Sequence, residues 1–227
     1  MKSTYLCILI AITFSVSCCS GQGTFQNLGF ESANLSPIPQ GQVGSFVPVS
    51  AALPGWTVFL GSSQASQVLQ NNASTGDPEV DILGPNFGNG PGGVIEGNYT
   101  AVLQAGGSGT HVPATIEQTG FVPSTAKSIQ MKFGPGTTGY EVTLGGQEIT
   151  MSPLAENPNY TLYGGVIPTG LIGTTQELAI SALPTPTDAF NGFPVDSIVF
   201  SPNAVPEPTI WSLLLCSASL LAIRRLK

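Results

Sequence analysis

Lys127-Ser128-Ile129-Gln130-Met131-Lys132-Phe133 alternates polar and apolar side chains without a break, so Ile129, Met131 and Phe133 share one face while Ser128, Gln130 and Lys132 share the other. Successive side chains of an extended backbone point in opposite directions, and a period of two therefore marks a strand with one buried face. The stretch predicts a half-buried antiparallel strand. Outward from it, similar short runs stand at residues 56–60, 99–104, 115–119, 140–144, 160–163, 177–180 and 195–200, each bounded by Gly, Pro, Asn or Ser. Leu144-Gly145-Gly146-Gln147 places paired glycines between two strand-like segments and predicts a hairpin, since glycine adopts positive φ without strain. No window between the two apolar ends of the chain keeps a helical period. With 28 glycines and 19 prolines as punctuation, the expectation is an all-β chain folded as a two-sheet antiparallel β-sandwich.

The two ends read differently. Residues 209–223 carry no charge and are rich in Leu, Ala and Ser, and Arg224, Arg225 and Lys227 follow them. Such a run partitions into a bilayer, and the terminal cations hold its end on the cytoplasmic side. It is shorter than the roughly 20 residues that span a bilayer as a helix, which predicts a transient stop. At the other end Lys2 precedes an apolar stretch from Tyr5 to Val16, with small residues at Ser17, Ser20 and Gly21, the layout of a secretory signal peptide. Cys18 and Cys19 suggest a lipoprotein signal instead, but Ser15 stands where that signal carries an aliphatic residue. The predicted organisation is a signal peptide over 1–21, a β-sandwich ectodomain over 22–203, and a C-terminal segment with a hydrophobic helix over 204–227.

Pro206-Glu207-Pro208, the apolar run and Arg224-Arg225, in that order, resemble the PEP-CTERM protein-sorting signal of Gram-negative bacteria. The resemblance covers about a tenth of the chain. It implies an exosortase-type membrane transpeptidase as partner, cutting near the tripeptide after transient anchoring in the inner membrane, and an exported protein at the cell surface or in the extracellular matrix. A plain tail anchor, its prolines only keeping the preceding segment out of a helix, is the alternative.

Composition narrows the function further. All four cysteines lie in or beside the two end segments, so the ectodomain has neither a disulfide nor a thiolate metal site. Within it Lys127 and Lys132 face twelve carboxylates, a formal charge of −10, which repels phosphate backbones and argues against nucleic-acid binding. Four Asn-x-Ser/Thr sequons, at Asn34, Asn72, Asn98 and Asn159, are incidental in a chain with a bacterial-type tail.

A second resemblance rests on scattered landmarks. Asn27-Leu28-Gly29-Phe30-Glu31, Leu53-Pro54-Gly55-Trp56 and Val195-Asp196-Ser197-Ile198-Val199-Phe200 resemble bacterial domains with a galactose-binding-like jelly roll, several carbohydrate-binding modules among them. It implies that the first and last strands neighbour one another, that Glu31 and Asp196 come together, and that these two carboxylates help hold a structural calcium. Otherwise they cap turns or meet solvent. Trp56 reads as a core plug in preference to a sugar platform; Tyr99, Tyr160, Tyr163 and Phe190 are further aromatic candidates.

The residues that could carry catalysis do not form a constellation in sequence. His111, the one histidine, stands three residues after Ser108 in a Gly-rich stretch, which supplies no base–nucleophile geometry. Asp77-Pro78-Glu79-Val80-Asp81 is the densest acidic cluster and reads as a solvated acidic loop, with cation ligation and a glycosidase pair as alternatives. The expectation is an exported protein without enzymatic activity, structural, adhesive or carbohydrate-binding, with exopolysaccharide as a partner and a secreted glycan-active hydrolase as its rival.

Overall fold

A computed structural model describes residues 23–72, 76–87, 93–106, 111–184 and 191–205. The signal peptide and nearly all of the sorting segment lie outside them. Among the described residues no helix is long and apolar enough to cross a membrane.

The elements in chain order are β1 (Phe46–Pro48), the single helical turn α1 (Val49–Ala52), β2 (Thr57–Leu60), β3 (Ser63–Ala65), β4 (Gln67–Gln70), β5 (Pro78–Leu83), β6 (Thr100–Ala105), β7 (Ala114–Phe121), β8 (Ser128–Phe133), β9 (Tyr140–Leu144), β10 (Gln147–Glu148), β11 (Ser152–Glu156), β12 (Thr161–Val166), β13 (Thr175–Ala182) and β14 (Gly192–Ser201). They form two sheets, one of eight strands in the order β1-β4-β5-β6-β14-β8-β12-β11 and one of six in the order β10-β9-β13-β7-β2-β3. The pairings are antiparallel except for β4 with β5, so the predicted β-sandwich is the observed architecture.

The decisive stretch behaves as its pattern dictates. In β8, Ile129, Met131 and Phe133 are fully buried between the sheets, while Gln130 and Lys132 reach the outer side. From the facing sheet, Ile116, Leu144, Leu178 and Ile180 close the same core, a continuous apolar layer of the kind that stabilises two stacked sheets. Phe133 anchors one end of it, its ring 4.8 Å from Tyr140, 5.3 Å from Tyr163 and 5.1 Å from Phe193. Trp56 is the expected core plug: it is buried beside Phe30, and its Nε1–H donates to Asn27 O at 3.1 Å. The glycine hairpin is present too, with φ of 58° at Gly145 and 71° at Gly146 between β9 and β10.

Residues 77–81 correct the sequence reading. Apart from exposed Asp77 they are not a solvated loop; they are the start of β5, inside the eight-stranded sheet, with Glu79 and Asp81 both buried. Val80 and Ile82 face the sandwich core. Glu79, Asp81 and Leu83 face the other way, opposite Gln104, Val102 and Thr100 of β6. That outer side is covered as well, because Leu83, Val94 and Val102 form a second small apolar cluster with Phe87 packed on it.

The segment after Gly23 ties the sheets together at one end. Thr24 bridges Phe121 in parallel, Phe25 stacks on Phe200 at 4.8 Å between ring centroids, and Ile198 N–H donates to Leu28 O at 2.9 Å. The opening segment therefore runs beside the last strand, as the jelly-roll resemblance implies.

Candidate functional site

An irregularity in β14 shapes the outer face of the eight-stranded sheet. Its register against β8 shifts between Asp196, opposite Lys132, and Val199, opposite Gln130, so that one extra residue is accommodated. Ser197 takes φ of 50°, a left-handed conformation uncommon for a side-chain-bearing residue. The bulge turns the Ser197 hydroxyl onto Glu96, to which it donates a short hydrogen bond.

Around this bulge two carboxylates clasp one turn of chain. Asp196 Oδ2 accepts from Thr100 Oγ1 at 2.6 Å and from Glu96 N–H at 3.2 Å, and Oδ1 accepts from Ser197 N–H at 2.6 Å. Glu31 accepts from Asn98 N–H at 2.9 Å and Tyr99 N–H at 3.1 Å. Residues 96–100 are thus held by Asp196 from below and by Glu31 from outside. Burial pushes the Asp196 carboxyl up to about 6, against the hydrogen bonds that favour its charged form, and the negative charge of Glu31 adds to the rise.

The jelly-roll resemblance implies that Glu31 and Asp196 come together and help hold calcium, with turn capping as the alternative. They do share one network, in which the groups aimed at these carboxylates are N–H and O–H donors. Among the described residues no group of three or more His, Cys, Asp or Glu is placed to hold a metal. Hydrogen bonds to residues 96–100 tie both carboxylates to this turn of chain.

Beside the clasp lies a polar patch. Lys132 pairs with Glu96 and stands 4.8 Å over the Tyr160 ring. The hydrogen bond from Lys132, seconded by that from Ser197, pulls the Glu96 carboxyl below its ordinary value. Glu96 is exposed and Lys132 half-buried, so this ion pair is open to solvent. Of the aromatic candidates, Tyr160 belongs to this patch, Tyr163 turns into the core against Phe133 and Tyr140, Tyr99 packs against the core, and Phe190 lies outside the described residues. Glu96, Thr100 and Ser197 escaped the sequence reading. Lys132 carried the one usable signal, a lysine on the outward side of an alternating strand.

The second acidic pair is buried in the sheet. Asp81 Oδ2 accepts from Asn72 N–H at 2.7 Å, and its Oδ1 is buried without a hydrogen-bond partner. Burial, with a contribution from the charge of Glu79, raises the Asp81 carboxyl to about 7. Neither acid lines the apolar groove of about 570 Å³ that opens at the end where Thr24, Phe25 and Leu28 meet Phe121 and residues 198–200. His111 is exposed, and Ser108 lies outside the described residues.

No protein-family profile and no curated protein sequence matches the chain. Solved structures with a similar course of chain include the Stig cyclase Fisc from Fischerella sp. TAU, in complex with (3Z)-3-(1-methyl-2-pyrrolidinylidene)-3H-indole, which is 14% identical over 78% of this chain and 94% of its own, with a TM-score of 0.47. The K2 cleaved adhesin domain of Lys-gingipain is 13% identical over 76% of this chain and 95% of its own, at 0.40. The enzymatically active domain of bacteriophage CBA120 tailspike protein 4 is 15% identical over 64% of this chain and 19% of its own, at 0.36. At these values the likenesses assign no chemistry to the chain. They do correct one expectation: the cyclases are enzymes, so the reading that the chain has no enzymatic activity does not stand. That reading was drawn from missing Ser-His and paired-carboxylate constellations, and catalysis is not confined to those.

Proposed function

We propose that the chain is an exported surface or extracellular-matrix protein, sorted through residues 204–227 by an exosortase-type transpeptidase, with an ectodomain that engages carbohydrate. The observation that carries this reading is the ordered series Pro206-Glu207-Pro208, an uncharged apolar run, and Arg224-Arg225. A domain with no cysteine and two lysines against twelve carboxylates is consistent with that destination, since it needs no disulfide chemistry and stays well solvated outside the cell.

The outer patch supports the carbohydrate part. Tyr160, Lys132, Glu96 and Ser197 set one aromatic ring beside charged and hydroxyl groups, the combination that meets both the C–H faces and the hydroxyls of a sugar. Tyr160 is partly exposed, and the hydrogen bonds among its neighbours fix their positions before a ligand arrives.

Intact-mass measurement of the protein recovered from membrane and culture-supernatant fractions of its host tests the sorting. A species ending near residues 206–208 supports it, and an uncut chain confined to the membrane overturns it. Binding to purified host exopolysaccharide, compared between the native chain and Tyr160→Ala, tests the ligand class. Equal retention of both would remove this patch from the account.

A further inference from the structure

One end of the sandwich differs in chemistry from the rest of this acidic domain. Pairing brings it together: Thr175 stands opposite Phe121, and Val166, Ser128 and Ser201 form one row across β12, β8 and β14. Lys127 N–H donates to Ser201 O and Ile167 N–H to Lys127 O, which locks the connecting segments to that row. The segments that build this end, residues 23–30, 120–130, 164–176 and 198–205, contain no aspartate or glutamate and one lysine, Lys127, which is exposed. Glu31, Asp196 and Glu207 flank them in sequence, and Glu177 stands exposed on β13 two residues inside the edge.

The same end carries two exposed valines and an apolar groove among uncharged polar residues. Val166 is 56% and Val199 51% exposed, and the groove between Phe25, Leu28, Phe121, Pro123 and Phe200 opens here. It is also where the described chain leaves the fold. Beyond Ser201 the backbone crosses β8, where Asn203 O accepts from Ser128 Oγ, and Val205 packs over Gly164. From Val205 to the first residue of the uncharged run, Thr209, is four peptide steps, at most about 14 Å even when fully extended.

The geometry points to this end as a membrane-contact face, seated on an anionic phospholipid surface while residues 209–223 are in the bilayer. The inference rests on the sorting reading of those residues and adds an orientation to it. A tether this short brings the face to the lipid headgroups. A domain of charge −10 would be repelled there; the end carrying Lys127, with Glu177 as its one carboxylate near the edge, is the one that can approach. β14, at ten residues, is about 33 Å long, so carboxylates at the far end stand several Debye lengths from the lipid surface and are screened. The exposed valines and the groove meet the apolar edge of the headgroup layer in place of water.

The test uses the full chain with Cys7, Cys18, Cys19 and Cys216 replaced by serine, in vesicles of phosphatidylcholine and phosphatidylglycerol. A fluorescent label is placed in one variant at Val199→Cys and in another at Thr138→Cys, an exposed position at the opposite end, and headgroup-level nitroxide lipids serve as quenchers. The expected result is flotation of the protein with the vesicles and quenching several-fold greater at 199 than at 138, reduced by Lys127→Glu. Flotation with equal quenching at both positions overturns the contact face and leaves the tail reading standing. Failure of the chain to float overturns both.

Discussion

Thr100 Oγ1 donates to Asp196 Oδ2 at 2.6 Å across 96 residues of chain, joining the start of β6 to the bulge of β14 on the outer side of the larger sheet. Together with the bonds from Glu96 and Ser197, it lets a buried carboxyl organise the segment that Glu31 grips from outside.

Removing that carboxyl leaves several donors unpaired in a water-poor site. Asp196→Ala is expected to cost about 3 kcal/mol, each stranded donor contributing of the order of 1 kcal/mol. Thr100→Val, which removes one partner, should cost less. Urea unfolding of both variants measures the difference.

Stability should also depend on pH through Asp81 and Asp196. Both carboxyls are raised, to about 7 and about 6, from the ordinary aspartate value of 3.8. A group raised on folding binds its proton more tightly in the folded state, so its contribution is complete below pH 4 and is lost as pH climbs through 6 and 7. The urea midpoint is expected to fall between pH 4 and pH 8, and Asp81→Asn to flatten the slope. A midpoint that rises over this range would contradict both assignments.

Gly97 sits at φ of 65° against the Glu31 carboxylate. A methyl group there would force Glu31 off residues 98 and 99 and strain the backbone. Gly97→Ala is therefore expected to destabilise by about 2 kcal/mol, from the backbone term and the lost bonds together. In the Glu31→Ala background the same change should cost about 1 kcal/mol less, a coupling that a double-mutant cycle reads directly.

Truncating the aromatic anchor tests the core. Phe133→Ala removes the ring that Tyr140, Tyr163 and Phe193 surround and is expected to cost about 3–5 kcal/mol. Thermal unfolding followed by circular dichroism would show it.

Substitutions in the sorting segment should act elsewhere. Glu207→Gln or Arg224→Ala with Arg225→Ala is expected to leave the unfolding curve unchanged while the chain accumulates uncut in the membrane fraction. Cell fractionation with intact-mass detection checks this, and normal export of the variants would count against exosortase sorting.

The legible strands were those with one wet face. β8, β9 and the core of β7 announce themselves because their alternation reports a sheet with water on one side. β5 does not, since it is covered on both sides and the burial of its Glu79 and Asp81 has no local signature. β3 and β4 are too short and too polar to stand out. Of the outer site, Glu31 and Asp196 are legible through their place in the order of jelly-roll landmarks, whereas Glu96 and Ser197 meet across 101 residues and depend on a bulge invisible in sequence.

β14 is the longest strand, and antiparallel partners flank it on both sides, β6 and β8. Beyond its end the polypeptide crosses β8 to reach Val205 over β12 and leaves the fold close by. When the protein is tethered there and loaded from the far end, tension runs along β14 and shears its ladders in parallel instead of unzipping them pair by pair. Resistance to pulling is then shared by many hydrogen bonds at once, and the direction of the tether selects the mechanically strong axis of the domain.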